Sequence, residues 1–247
     1  MPDVLGYRAK FGVLVPSTNT VVEPDFHQMT PPGVTVATGR IHIGNARMDS
    51  DEALEKVIEL VGAAIARAVE ELMTCEPDYL VMGMSSETFW GGRKGNDEFK
   101  QRIEGLAGRK IATGGSALER ALGALGVRRL GVITPYQPVG DRQVRAFLVE
   151  CGYDVVAVES FRCQTAVGIA KVDPPAIRRA ITAVNRPDVD AIVQVGTNLS
   201  MLRLADEAER ELGKPVIAVN AATFWYALRE NGFTDRMSGF GRLLREF

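Results

Sequence analysis

Soft metal ligands are scarce in this chain of 247 residues, which has three cysteines and two histidines. Cys75, Cys151 and Cys163 are an odd number without C-x-x-C spacing, which argues against a disulfide framework or a thiolate zinc site. With His27 and His42 as the only imidazoles, the sequence predicts no transition-metal centre, and only a carboxylate-bound Mg²⁺ stays open on composition. Neither sign of charge dominates. Lys plus Arg total 29 against 31 Asp plus Glu, so no electrostatic footprint for nucleic acid or an anionic membrane is present. Long apolar runs are missing as well: the stretch from Val57 to Val69 is broken by Glu59 and Arg67, well short of the roughly 20 residues a membrane span needs. The opening MPDVLGYRAK carries no apolar leader core, so the expected location is cytoplasmic. Nucleotide-binding signatures are lacking too. G-x-G-x-x-G does not occur, and Gly91-Gly92-Arg93-Lys94-Gly95 does not match the phosphate-loop arrangement. No cofactor is therefore expected.

What is present is an ordinary globular composition, 46% hydrophobic and 24% charged, enough for one large domain or two small lobes. Short β-rich runs alternate with amphipathic stretches. The runs predict strands at Phe11 to Val15, Val34 to Thr38, Tyr79 to Met82, Lys110 to Ala112, Leu130 to Thr134, Val155 to Val158, Ala191 to Val195 and Val216 to Val219. Helices are expected near 51–75, 97–107, 115–125, 138–151, 174–184, 201–212 and 221–230, with Asp97 opening the second and Gly126, Gly152, Gly213 and Gly232 each closing a helical stretch. This is the pattern of an α/β fold with a largely parallel sheet.

The pattern also repeats. Gly12-Val13-Leu14-Val15-Pro16 is echoed by Gly131-Val132-Ile133-Thr134-Pro135, Asp78 to Met82 by Asp190 to Gln194, and Ile111-Ala112 by Ile217-Ala218. Two pseudo-symmetric lobes are expected: residues 1–114, completed by a C-terminal helix at about 220–247, and residues 115–219. If the lobes face each other, the loops after their strands meet in one cleft, the usual ligand position in open α/β sheets. Those loops are Pro16 to Thr20, Gly83 to Thr88, Pro135 to Gln137 and Gly196 to Ser200. They are rich in hydroxyl and amide groups and nearly free of charge apart from Glu87. Such a cleft suits a small carboxylate or another oxyanion.

At these residues the chain resembles a known superfamily. PSTNTVVEP at 16–24 resembles the first carboxylate-binding loop of maleate cis-trans isomerases. MGMSSETFWGG at 82–92, TPY at 134–136, GTNL at 196–199 and the aromatic-aliphatic run at 224–228 resemble both those isomerases and arylmalonate decarboxylase, all of the aspartate/glutamate racemase superfamily. The likeness runs in order from about residue 11 to 244. It implies a cofactor-independent enzyme built from two Rossmann-like (flavodoxin-like) lobes, homo-oligomeric like its relatives, with a cysteine in one or both lobes exchanging protons with the substrate or adding to it. It also implies a dioxyanion hole of Ser85, Ser86 and Tyr136, with Ser17, Asn19, Thr197 and Asn198 on the other carboxylate side and Gln164 and Thr165 lining the cleft.

The sequence departs from this pattern where the superfamily has its thiols. Met84 precedes the paired hydroxyls at the first cysteine position, and Gly196 stands at the second; the repeat makes the two equivalent, each six residues after Asp78 or Asp190. Neither side chain can ionise or add to a double bond. Racemisation needs two proton-transfer groups, and isomerisation by covalent addition needs a nucleophile. Decarboxylation asks mainly for a desolvated carboxylate and donors aimed at the developing enediolate. The expected activity is therefore that of a cofactor-free lyase acting on a small mono- or dicarboxylate. Two alternatives stand beside it: a catalytically silent carboxylate binder, and a hydrolase or hydratase using Glu87 or His27. Cys75 and Cys151 read as packing residues, and Cys163 either as a structural residue or as one bordering the cleft. The pairs Phe89-Trp90 and Phe224-Trp225 either wall the cleft or fill the core.

Overall fold

Eight parallel strands form two sheets of identical order. In a computed structural model, which describes residues 3–247 and leaves the first two residues of the N-terminal segment outside it, the first sheet holds β1 (Ala9–Pro16), β2 (Val34–Ile41), β3 (Tyr79–Met82) and β4 (Ile111–Ala112) in the order β2-β1-β3-β4. The second holds β5 (Arg129–Thr134), β6 (Asp154–Ser160), β7 (Ala191–Gln194) and β8 (Val216–Ala218) in the order β6-β5-β7-β8. The sequence repeat is a repeat of register: Gly12 pairs with Leu80 as Gly131 pairs with Ile192. At the last strand the two halves differ by one residue. Leu80 faces Ile111, but Ile192 faces Val216, not Ile217.

The repeated glycines mark where a crossover helix lies against its sheet. A Cβ on Gly12 would come within about 3.0 Å of Leu72 on α2 (Asp51–Met73), and one on Gly131 within 2.7 Å of the Val184 carbonyl at the end of α7 (Pro174–Val184). Helix α2 forms because Ser50 caps it, accepting from Ala53 N–H at 3.1 Å, and because Leu54, Val57, Val61, Ile65, Ala68 and Leu72 recur at helical spacing on its buried face.

The remaining helices are α1 (Val22–Gln28), α3 (Gly92–Ala107), α4 (Gly114–Leu125), α5 (Pro138–Glu150), α6 (Ala166–Ile169), α8 (Leu202–Leu212), α9 (Val219–Glu230) and α10 (Arg242–Glu246). Helices α1 and α6 are too short to show a periodic face and lie outside the sequence expectation, and the C-terminal helix expected at about 220–247 is two, α9 ending at Glu230 and the short α10 beginning at Arg242. Helix α3 begins five residues before Asp97. Its glycine-rich first turn wraps so closely that a Cβ on Gly95 would sit 1.9 Å from the Trp90 carbonyl, which is why glycine there belongs to a helix and not to a loop. Val219, expected at a strand end, opens α9.

Helix α9 returns to the first sheet. It packs against β3 and β4 and against α1 and α4, with Phe224 meeting Phe11 at 6.1 Å and Phe26 at 5.0 Å between ring centres. Helix α5 reaches the other way, onto α2 and α3. Asp51 at the start of α2 accepts from Val139 N–H at 2.8 Å and from Arg142 at 2.9 Å, tying the two helix starts together. The ends of β1, β3, β5 and β7 thereby face a common space. Among the described residues no helix is long and apolar enough to cross a membrane.

Candidate active site

The loops that leave β1, β3, β5 and β7 enclose a cavity of about 60 Å³, several times the space one water needs. Thr18 and Asn19, Met84, Ser85 and Ser86, Tyr136, and Gly196, Thr197 and Asn198 contribute to its lining. The rest of the lining is largely aliphatic: Leu54, Val57, Ile58 and Val61 of α2, with Ile43, Met48, Ala166 and Ile169. No residue of the lining is charged at neutral pH. Burial pushes the Tyr136 phenol well above its ordinary value, so it stays protonated.

Two hydroxyls from opposite sheets meet in this lining. Ser85 Oγ lies 3.0 Å from the Tyr136 oxygen and accepts from the Gly196 backbone N–H at 3.1 Å. A hydroxyl has one proton and two lone pairs. Whichever of the two donates to the other, the pair keeps one O–H to offer a ligand. Among the described residues nothing accepts from the backbone N–H groups of Ser86, Thr197 or Asn198, and all three residues line the cavity. The arrangement can therefore hold an oxyanion with neutral donors, in surroundings that weaken its hydration.

The loops are locked to one another. Asn19 Nδ2 donates to Thr197 Oγ1 at 3.1 Å, which donates in turn to the Gly83 carbonyl at 3.0 Å. Asn198 Oδ1 accepts from Thr20 N–H at 3.0 Å and its Nδ2 donates to the Ala166 carbonyl at 2.9 Å. Met84 and Gly196, the residues read at the superfamily's cysteine positions, both lie in the lining. Gly196 has φ +93°, and a Cβ there would come within 2.5 Å of Pro135.

Several residues expected in the cleft lie elsewhere. Ser17 turns to β2's continuation, donating to the Ile43 carbonyl at 2.9 Å and accepting from its N–H at 3.0 Å. Gln164 is exposed, and its carbonyl accepts from Met48 N–H at 2.7 Å. Thr165 caps α6 through Gly168 N–H at 3.0 Å. The neighbours Ala166 and Ile169 take the lining positions instead. Glu87 is buried on the far side of its loop, in a separate recess with Trp90, Phe99 and Arg102. Its Oε2 is 3.7 Å from Arg102, its Oε1 has no partner among the described residues, and burial pushes its carboxyl up to about 7 against the pull of Arg102. His27 sits on the exposed face of α1. The acid or base of the hydrolase alternative is thus not in the cavity, because the turn after Ser86 carries residue 87 away and α1 presents its apolar face, not His27, inward.

None of the three cysteines lines the cavity. Cys75 donates to the Leu72 carbonyl at 3.1 Å, and burial pushes the Cys151 and Cys163 thiols up to about 12 and about 11. Neither aromatic pair lines the cavity: Phe89 packs on Phe147 at 5.3 Å and Phe224 on Phe11 and Phe26 in the core, Trp225 is buried, and the half-buried Trp90 lines the recess of Glu87. Among the described residues no three His, Cys, Asp or Glu side chains converge as a metal site would require. The aliphatic wall of α2 was missed in the sequence. Its stripe at helical spacing is the ordinary signature of a core face, and only the packing shows that its first three turns border a cavity.

Comparison with known proteins joins these features to one family. The family described as arylmalonate decarboxylase matches residues 11–244. The chain is 28% identical to arylmalonate decarboxylase of Bordetella bronchiseptica over 95% of this chain and 96% of that protein. It is 25% identical to maleate isomerase of Nocardia farcinica over 98% of this chain and 97% of that one. Among solved structures, a cysteine-to-serine mutant of the Nocardia farcinica maleate cis-trans isomerase with a covalently bound succinylcysteine intermediate superposes with a TM-score of 0.87, covering 97% of this chain and 99% of that one. At 22% identity this is a likeness of fold.

Proposed function

As a member of the arylmalonate decarboxylase family, in which the match over residues 11–244 sets it, this chain is read as an enzyme, and we propose that it decarboxylates a small malonate-type acid without a cofactor. The supporting observation is the Ser85–Tyr136 pair facing an aliphatic wall in a lining that holds neither a thiol nor a charge. One carboxylate of the substrate is held by the hydroxyl pair and the N–H groups of Ser86, Thr197 and Asn198. The other lies against Leu54, Val57, Ile58 and Val61, where its charge is poorly solvated. Its C–C bond breaks, carbon dioxide leaves, and the electron pair passes into the held carboxylate as an enediolate. The donors around that carboxylate strengthen as negative charge accumulates on it. Water, or the free O–H of the hydroxyl pair, then supplies a proton to carbon.

Covalent isomerisation of a maleate-type acid is disfavoured by the same lining, which holds no thiol and no basic group to activate its hydroxyls. The test is incubation with phenylmalonate, methylmalonate and maleate in D₂O, followed by NMR. Formation of a monoacid labelled with deuterium at its α-carbon supports the proposal, and conversion of maleate to fumarate sinks it. Thermal stabilisation by these acids without any product would make the protein a carboxylate binder.

A further inference from the structure

A ring of hydrogen bonds, completed through the backbone of α1, runs behind the cavity. Asn19 Oδ1 accepts from the Val21 and Val22 N–H groups at 2.9 and 3.0 Å and so caps α1. One turn on, Asp25 Oδ2 accepts from Asn220 Nδ2 at 2.8 Å, and the same amide donates to the Thr197 carbonyl at 3.0 Å. Thr197 Oγ1 accepts from Asn19 Nδ2, which closes the ring. All four side chains are more than nine-tenths buried. Asp25 alone among them can ionise.

Asn220 Oδ1 has no partner among the described residues. The amide is therefore oriented by its two donor bonds, of which the one to a carboxylate is the stronger. Its bond to the Thr197 carbonyl has a consequence across the peptide plane. C=O and N–H of a trans peptide point in opposite directions, so holding the Thr197 carbonyl toward Asn220 turns the Asn198 N–H away from it.

We propose that Asp25 is a positioning residue for the site: through Asn220 it fixes the Thr197–Asn198 peptide and so aims the Asn198 N–H. The ring itself does not depend on the activity proposed above; its effect on turnover does. Burial pushes the Asp25 carboxyl up to about 6, opposed by the bond from Asn220 and the charge of Arg203 on α8. Among the described residues Arg203 is the charge that acts on it: α9 presents Asn220 and Phe224 to α1, and Glu23 of α1 is paired with Arg40 of β2. Aiming should therefore weaken in mild acid.

The test uses the whole chain, as wild type, Asp25→Asn and Asp25→Ala, in amide NMR from about pH 5 to about pH 8. The Thr197 and Asn198 backbone amides and the Asn220 side-chain amide should shift in the wild type with one midpoint near pH 6. In Asp25→Asn, which keeps an acceptor but no charge, that midpoint should vanish. In Asp25→Ala, exchange of the Asn198 amide should rise at least tenfold. With phenylmalonate, Asp25→Ala should lose about tenfold in kcat/KM, and Asp25→Asn should recover most of it while lacking the fall below pH 6. A midpoint that persists in Asp25→Asn, or unchanged Asn198 exchange in Asp25→Ala, overturns the proposal. Amides that behave as expected in a protein that leaves phenylmalonate untouched would uphold the ring and reject the decarboxylase reading.

Discussion

The Ser85 and Tyr136 hydroxyls stand 3.0 Å apart although one leaves the first sheet and the other the second. Neither sheet carries the pair alone. The Gly196 N–H, from another loop of the second sheet, fixes the serine oxygen from the far side.

Replacing Tyr136 by Phe removes one proton from this pair and leaves the ring in place. On phenylmalonate kcat should fall on the order of 10²-fold. The lost hydrogen bond should cost about 1 kcal/mol of stability, visible as a small drop in Tm. An unchanged rate would remove Tyr136 from the chemistry.

Glu87 gives a prediction about stability and not about rate. Its buried carboxyl releases its proton near pH 7, whereas the ordinary value is 4.5. As pH rises from 4.5 toward 7 the unfolded chain ionises first, so the folded state loses stability across that window, by about 3 kcal/mol in all. Glu87→Gln should flatten this part of the Tm profile and leave turnover intact. A large loss of turnover would mean that the carboxylate reaches the substrate after all.

The two positions read at the superfamily's cysteine sites differ in what they tolerate. Met84→Cys shortens a side chain in the lining and should be accepted with little change in Tm. Gly196→Cys puts a Cβ at φ +93° and within 2.5 Å of Pro135, and backbone strain of this kind costs about 1–3 kcal/mol. Thermal unfolding of the two variants side by side checks the difference; equal Tm values would show that the Pro135 turn yields freely.

Val57→Thr keeps the shape of the aliphatic wall and adds a hydroxyl to it. A better-solvated departing carboxylate should lose CO₂ more slowly, with kcat down roughly tenfold, about 1.4 kcal/mol, and KM little changed. A rise in KM alone would assign Val57 to binding and not to desolvation.

These outcomes rest on residues that were not equally legible in the sequence. Ser85, Ser86, Tyr136, Asn19, Thr197 and Asn198 fall in loops that directly follow apolar runs, so the strand pattern locates them and the repeat pairs them. Glu87 follows Ser86 in the same loop, yet one more peptide turns its side chain to the opposite side. Gln164 and Thr165 are displaced for the same reason, by a single turn of α6 too short to have a periodic signature. Leu54 to Val61 carry the pattern of a core helix because most of that helix is core. Asp25 and Asn220 stand 195 positions apart, a distance no local pattern bridges.

The return of α9 to the first sheet bears on how the protein is made. Phe11 is synthesised 213 residues (224 − 11) before one of its ring partners, Phe224. The first half cannot finish its core until residues 219–230 emerge, and until then the β3–β4 face lacks the cover that α9 gives it. A chain stalled or truncated before Val219 should be an aggregating fragment, bound by chaperones, and not a smaller folded lobe.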